Sequence, residues 1–153
     1  FRPKSMKDNA APCGNYVAVT VLLKLAALTG ETRYADLAEK MLRQIQPMSA
    51  RYPTGFGQWL VASSFALGGA REIAIVGDPN GDDARAMLSV LWGAFRPFQV
   101  TAVGEGESAV PLLLRNRAKI DGKATAYVCE HFACRRPVTE VEEFREVLEG
   151  KEG

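Results

Sequence analysis

In Ile73-Ala74-Ile75-Val76-Gly77-Asp78-Pro79-Asn80-Gly81 the hydrophobic period of the chain changes from that of helices to that of strands. A short apolar run before a turn rich in Gly and Pro is typical of a buried strand. A helix over about Asp82 to Phe95 follows, and then a second strand over Phe98 to Val103. One face of this helix carries Ala84, Leu88, Leu91 and Phe95. This order predicts a βαβ unit with a parallel strand pair.

The same unit extends to the end of the chain. Ala124 to Cys129 predicts a third strand, and Thr139-Glu140-Val141-Glu142 has the pattern of a capping box that opens a last helix. Together these segments predict a small α/β module over residues 70–153 with a mostly parallel sheet. The turn after the first strand has three aspartates and no Lys, so it is predicted to be a turn and helix start, without a phosphate or other cofactor.

Residues 1–69 have helical periodicity instead. A helix over about Asn15 to Leu28 is apolar nearly all round, one over Thr32 to Gln46 has a single apolar stripe, and a third begins at Pro53. Pro47 is expected to end the second helix. Buried, amphipathic and buried helices in alternation predict layered helical hairpins. The fold class is therefore mixed, with helical hairpins followed by an α/β module.

Composition excludes several classes of protein. Hydrophobic residues make up 47% and charged residues 24% of the 153, with a net charge of +1, which indicates a globular chain and no nucleic-acid partner. The longest apolar run, Tyr16 to Leu28, is too short to span a bilayer. With no signal peptide and an odd cysteine count, a cytoplasmic location is predicted. The first residue is Phe1 and not Met, which predicts a truncated chain.

A polar loop before the first helix is the first candidate site. Asp8, Asn9, Cys13 and Asn15 lie where free backbone N–H groups and the helix dipole favour acceptors and anions. Asn15 is predicted as an N-cap with Asp8 as a local cap, and the alternative is a ligand-binding loop.

Tyr52 and Gln58 flank the start of the third helix and form a second candidate group. Aromatic and amide side chains there can bind a sugar ring. For the neighbouring Phe56 and Trp59, core packing is the favoured interpretation.

Cys129 and Cys134 are a candidate thiol pair. Their spacing matches no common zinc motif and is not Cys-x-x-Cys, so no metal site is predicted. Two half-buried cysteines at a strand end are the favoured interpretation, and a disulfide between them is the alternative.

The order of several short segments is more specific than any one of them. These segments are Lys7-Asp8-Asn9-Ala10-Ala11-Pro12-Cys13-Gly14-Asn15, Leu28-Thr29-Gly30, Arg51-Tyr52-Pro53, Arg71-Glu72-Ile73-Ala74-Ile75-Val76-Gly77-Asp78-Pro79, Ile120-Asp121-Gly122, and Ala126-Tyr127-Val128-Cys129 with Cys134 and Pro137-Val138-Thr139. In this order they resemble the C-terminal part of the thioredoxin-domain-containing YyaL and spermatogenesis-associated-protein-20-like family. Where this chain has Pro12-Cys13-Gly14-Asn15, the family usually has Pro-Ser-Gly-Asn.

The resemblance implies an N-terminal thioredoxin-like domain and an (α/α) toroid similar to those of N-acylglucosamine 2-epimerases and six-hairpin glycosidases. Residues 1–69 are then the last hairpins of the toroid, and the missing N-terminal domains are partners of this chain. Three functions stay open, of which the simplest is a purely structural interaction domain. The second is a carbohydrate-related enzyme with a small-molecule ligand at the loop, and the third is a support or docking module of a thiol/redox protein.

Truncation has a physical consequence for the helical part. One amphipathic helix cannot cover two helices that are apolar on most sides, so an apolar patch is expected on the surface. We expect self-association through residues 14–67 that buries on the order of 1,000 Å² or more.

Overall fold

A computed structural model describes residues 6–8, 13–106, 110–130 and 133–150. The chain divides into two compact units, Phe1–Gly69 and Ala70–Gly153. The first is helical, and the second combines helices with a sheet. We call them the helical unit and the sheet unit. Within the described ranges, no helix has both the length and the hydrophobicity that a bilayer-spanning segment requires.

The helical unit contains three α-helices. They are α1 (Gly14–Thr29), α2 (Thr32–Arg51) and α3 (Gly57–Gly68), with a short 3-10 helix at Pro53–Gly55 between the last two. Gly30 ends α1 with a φ of 69°, a conformation that glycine adopts without a steric penalty. The three predicted helices are therefore present, but a toroid is not established by three helices.

Two predicted boundaries in this unit are wrong. α2 continues through Pro47 to Arg51, because Ile45 and Ser49 on its packed face are both buried and the Ser49 hydroxyl donates to the Gln46 carbonyl at 3.0 Å. α3 begins at Gly57, after a break at Phe56. The fully buried Phe56 side chain and the flexible glycines on either side favour a turn there over a continuous helix.

The core of the helical unit lies where the three helices meet. Its buried members are Cys13, Val19, Ala38, Ile45, Phe56, Trp59 and Ala62. The other sides of α1 and α3 keep large apolar groups at the surface: Val17, Val21, Leu60, Val61 and Leu67. One amphipathic helix thus does not cover both of its neighbours, as the sequence predicted.

The sheet unit has four strands and two helices. In chain order they are β1 (Arg71–Val76), α4 (Asp82–Trp92), β2 (Gln99–Gly104), β3 (Thr125–Glu130), β4 (Ala133–Cys134) and α5 (Val141–Glu149). The strand order is β2-β1-β3-β4. α4 and α5 cover one face, where Ile73, Ile75, Ala126 and Val128 meet Phe144 in a common core. A 3-10 helix at Leu112–Leu114 contacts β1 and β2.

The predicted βαβ unit is confirmed, since β1 and β2 pair in parallel. The prediction of a mostly parallel sheet is wrong, because β3 runs antiparallel to β1 and β4 runs antiparallel to β3. A parallel neighbour needs a crossover that returns the chain to the starting edge, which α4 provides between β1 and β2. No described helix of that kind joins β2 to β3.

Two predictions about the helices of this unit also fail. α4 ends at Trp92 before Gly93, so Phe95 is not on its buried face and is 92% exposed. α5 begins at Val141 with Glu140 as N-cap and no side-chain capping bond, so the Thr139 capping box does not form. The Glu140 carboxylate instead binds the Lys123 ammonium at 2.7 Å.

Candidate functional site

The short segment 6–8 joins the beginnings of α1 and α3. The Met6 carbonyl accepts a hydrogen bond from Trp59 Nε1 at 2.9 Å, and the Asp8 N–H donates to the Gly55 carbonyl at 3.0 Å. The Trp59 side chain is fully buried, so its indole N–H needs such a partner. Sequence reasoning missed Met6, because a contact over 53 positions leaves no local pattern.

Asp8 supplies a cap to α3 from a distant part of the chain. Its Oδ2 accepts from the backbone N–H of Gln58, in the first turn of α3, at 2.9 Å. One of the N–H groups that every helix leaves unbonded at its start is thereby satisfied. Asp8 Oδ1 is buried without a hydrogen-bond partner among the described residues. The prediction that Asp8 is a local cap is wrong, because Asp8 caps α3, which lies 50 positions further along the chain.

Cys13 is the N-cap of α1, and the prediction that Asn15 has this role is wrong. Cys13 has extended backbone angles, and its sulfur accepts from the Tyr16 N–H at 3.5 Å. Asn15 lies inside the first turn, where its side-chain amide donates to the Met6 sulfur at 3.3 Å. A buried thiol at 6% exposure fits the N-cap position because α1 packs against its neighbours there.

The structure brings together four of the six candidate ligand residues. Cys13 and Asn15 contact Met6 of segment 6–8, and the backbone N–H of Gln58 donates to Asp8 of the same segment. Asn9 lies outside the described residues. Tyr52 is 54% exposed, with its ring 5.4 Å from the guanidinium carbon of Arg51. Among the described contacts, Tyr52 has none with the other four. The carboxylate of Asp8 is engaged in capping, so the cluster as it stands is an internal hydrogen-bonded junction.

The candidate thiol pair forms a disulfide across two antiparallel strands. Cys129 of β3 lies opposite Cys134 of β4, with an S–S distance of 2.09 Å and a Cα–Cα distance of 3.9 Å. The next pair is joined by a hydrogen bond from Arg135 N–H to the Val128 carbonyl, so the cysteines occupy a non-hydrogen-bonded pair, where Cα atoms approach most closely. Cys129 is buried and Cys134 is exposed, which corrects the prediction that both are half-buried.

Arg117 lies against this disulfide and was not predicted. Its Nη2 is 3.4 Å from Cys129 Sγ and 3.0 Å from Cys134 Sγ. Its Nη1 donates to the carbonyl of Leu113, and its guanidinium carbon is 5.7 Å from the centre of the Tyr127 ring. Burial lowers the pKa of Arg117, and the charge of Glu72 opposes that shift. Nothing in the local sequence around Arg117 distinguishes it from the neighbouring basic residues.

Among the described residues, no group of three or more His, Cys, Asp and Glu side chains is arranged to hold a metal ion. His131 lies outside those residues.

The described elements define a mixed α/β protein with a helical unit and a four-stranded mixed sheet. Spermatogenesis-associated protein 20 of Rattus norvegicus is 29% identical over 97% of this chain and 19% of its own length. The Homo sapiens protein is 29% identical over 97% and 20% respectively, and the Mus musculus protein 27% over 97% and 19%. These matches confirm the resemblance predicted from the sequence. The chain spans about a fifth of the length of these relatives. No family model and no solved structure matches it.

Proposed function

We propose that this chain is a support and docking module of a longer protein of the spermatogenesis-associated-protein-20 type, in which the helical unit receives another helix. One observation carries the proposal. An open groove of about 560 Å³ runs between α2 and α3. A groove of this shape between two helices is the kind of surface into which an amphipathic helix lays its apolar face.

The lining of this α2–α3 groove suits such a partner. Its apolar members include Leu23, Leu42, Leu60, Ala66 and Leu67. Leu67 is 89% exposed. Full burial of a leucine side chain under a docked helix would stabilise the complex by about 1.5–3 kcal/mol. Charged residues line the groove as well.

The polar lining residues include Asp36, Glu39, Arg43 and Gln46 of α2, and Glu39 and Arg43 are paired at 2.5 Å. Apolar groups with a charged border match the composition of helix-binding surfaces. The occupant we propose is a helical segment from the remainder of the longer protein. This chain spans about a fifth of the length of its relatives, and a protein of their length would contain further segments that can provide such a helix.

Self-association of the isolated chain tests whether this groove is a docking surface. With no other helix present, a second copy is expected to fill the groove and bury on the order of 1,000 Å² or more. The double substitution Leu60→Asp and Leu67→Asp introduces charges that are costly to bury and should convert the associated form to a monomer. Sedimentation velocity over a range of concentrations measures the change.

Val61→Asp is the matched control. Val61 is also an exposed apolar residue of α3, at 45%, but it does not line the groove. This variant should associate as the unchanged chain does, and circular dichroism should show the same helix content in all three proteins. A monodisperse monomer of the unchanged chain at high concentration would contradict the proposal.

Carbohydrate binding is the second candidate, and the convergence of Asp8, Asn15 and Gln58 around one segment favours it. Carboxylate and amide groups can form hydrogen bonds with sugar hydroxyls. Titration of the chain with monosaccharides, followed through the backbone amide signal of Gln58, should shift that signal. Unchanged spectra at saturating sugar would remove this candidate and leave the docking proposal intact.

A further inference from the structure

The far face of the sheet unit carries a row of chemically active side chains. Glu72 of β1 lies opposite Cys129 of β3, which in turn lies opposite Cys134 of β4. Residues directly opposite each other in antiparallel strands point to the same face, so the three form one line across the sheet. Arg117, from the segment between β2 and β3, reaches both sulfurs of this line.

We propose that Cys129 and Cys134 are a thiol–disulfide exchange site. An external dithiol attacks Cys134, Cys129 is the leaving group, and Arg117 stabilises the Cys134 thiolate; in the reverse direction Cys129 resolves the mixed disulfide at Cys134. The proposal is independent of the groove in the helical unit. It assigns a chemical role to a residue pair that the docking function does not use.

Access decides which sulfur reacts first. Cys134 is exposed on a two-residue strand, whereas Cys129 is 1% exposed. Exchange requires in-line attack by a thiolate on a disulfide sulfur, so an incoming reagent must reach that sulfur. Only Cys134 of the two is open to such an approach.

Charge leads to the same assignment. A guanidinium remains protonated in proteins, and at 3.0 Å from Cys134 Sγ it stabilises a thiolate there. Cys129 is buried at 1% exposure, opposite Glu72 of β1, and burial disfavours a negative charge on its sulfur. Among the described residues, Tyr127 and Glu72 are titratable groups near Arg117, and Glu130 and Arg135 adjoin the two cysteines along the strands.

The exchange balances with the dithiol as reductant. A thiolate of the dithiol attacks Cys134 Sγ, a mixed disulfide forms, and the S–S bond breaks with Cys129 leaving as a thiolate. The second thiol of the reagent then attacks the reagent's other sulfur, which is bonded to Cys134 in the mixed disulfide. This step releases Cys134 as a thiolate. Two electrons and two protons pass from the dithiol to the protein, which ends with two thiols, and the reagent ends as a disulfide.

Alkylation of the reduced full chain tests the site directly. Rates of reaction with iodoacetamide are measured from pH 5 to 10, and peptide mass mapping separates Cys13, Cys129 and Cys134. Cys134 should react faster than Cys129, with a midpoint below the value of about 8.5 for an ordinary thiol. Arg117→Gln should slow Cys134 about tenfold at pH 7 and raise its midpoint, since the stabilising charge is lost.

Arg115→Gln is the matched control, because Arg115 is an exposed cation two residues earlier with no side-chain contact to either sulfur among the described contacts. It should leave both rates unchanged. Arg117→Lys keeps the charge and should restore most of the rate. If Arg117→Gln does not fold, the pH profile of the unchanged chain decides: a Cys134 midpoint at or above that of an ordinary thiol overturns the proposal.

The order of attack is tested by trapping. With oxidised glutathione, Cys129→Ser should accumulate a mixed disulfide at Cys134, because no resolving thiol is left, whereas Cys134→Ser should form little adduct at Cys129. Equal adduct formation by the two variants, or none by Cys129→Ser, overturns the assignment of Cys134 as the reacting sulfur.

Discussion

Among single residues, Asp83 joins two elements of the sheet unit. Its Oδ1 accepts from the Ala84 N–H at 2.8 Å, and its Oδ2 accepts from the Ala124 N–H, just before β3, at 2.7 Å. These bonds, that from Ala124 first, lower the pKa of Asp83 below its ordinary value of 3.8. Sequence reasoning found the helix-start position of Asp83 but not its partner, because Ala124 is 41 positions away.

We predict that Asp83→Asn lowers the free energy of unfolding by about 1 kcal/mol at pH 7, a value reduced for solvent screening because the side chain is exposed. A lowered folded-state pKa contributes stability above pH 3.8, and that contribution is lost as the pH falls through the folded-state pKa. Urea unfolding of both proteins at a series of pH values should therefore show the difference shrinking in acid.

Asp82→Asn is the control for this prediction. Asp82 lies in the same first turn and carries the same charge near the helix dipole. It does not accept the hydrogen bonds from Ala84 and Ala124 that Asp83 accepts. Its substitution should cost only the dipole contribution of a few tenths of a kcal/mol. An equal loss in both variants would show that the charge, and not the bond to Ala124, stabilises the unit.

Among the elements, α2 is notable for the proline in its interior. Pro47 is exposed and cannot donate the N–H that would reach the Arg43 carbonyl. We predict that Pro47→Ala raises the free energy of unfolding of the helical unit by about 1–3 kcal/mol. Alanine has a much higher helix propensity than proline, but it also gives the unfolded chain more conformational freedom, which offsets part of the gain. Thermal unfolding followed by circular dichroism measures it.

Gln44→Ala, at an exposed position one turn earlier, should change stability by less than about 0.5 kcal/mol. If Pro47→Ala destabilises the protein instead, the path of the last turn of α2 depends on the proline ring. That result would also bear on the α2–α3 groove, because Ser49 and Ala50 of the same turn line it.

In the whole molecule, each unit has its own core and also keeps large apolar side chains at the surface, which in the sheet unit include Trp92 at 70% and Phe95 at 92% exposure. In the sheet unit, α4 and α5 lie over one face of the strands, and the 3-10 helix at Leu112–Leu114 contacts two strands. In the helical unit, α1 and α3 leave five large apolar side chains between 39% and 89% exposed: Val17, Val21, Leu60, Val61 and Leu67. Of these five, Leu60 and Leu67 line the α2–α3 groove into which we propose that a further helix docks.

The sequence by itself determined the three helices of the first unit, the parallel β1–β2 pair and the turn at Gly77-Asp78-Pro79-Asn80-Gly81. All of these depend on periodicity and turn chemistry within about 30 residues, which a single sequence displays. In that turn, Asp78 Oδ1 accepts from the Asn80 N–H at 2.9 Å, as turn residues of this kind do.

Only the tertiary structure decided the antiparallel direction of β3, the cap that Asp8 gives to α3 and the contact of Arg117 with the two cysteines. Each of these joins residues far apart in the chain or on separate elements, and their pairing depends on how the elements pack and not on local pattern.

Pro47 shows that packing can also override a local pattern. Its local preference predicts a helix end, but the burial of Ile45 and Ser49 on one face stabilises a continuous helix, because packing outweighs the propensity of a single residue.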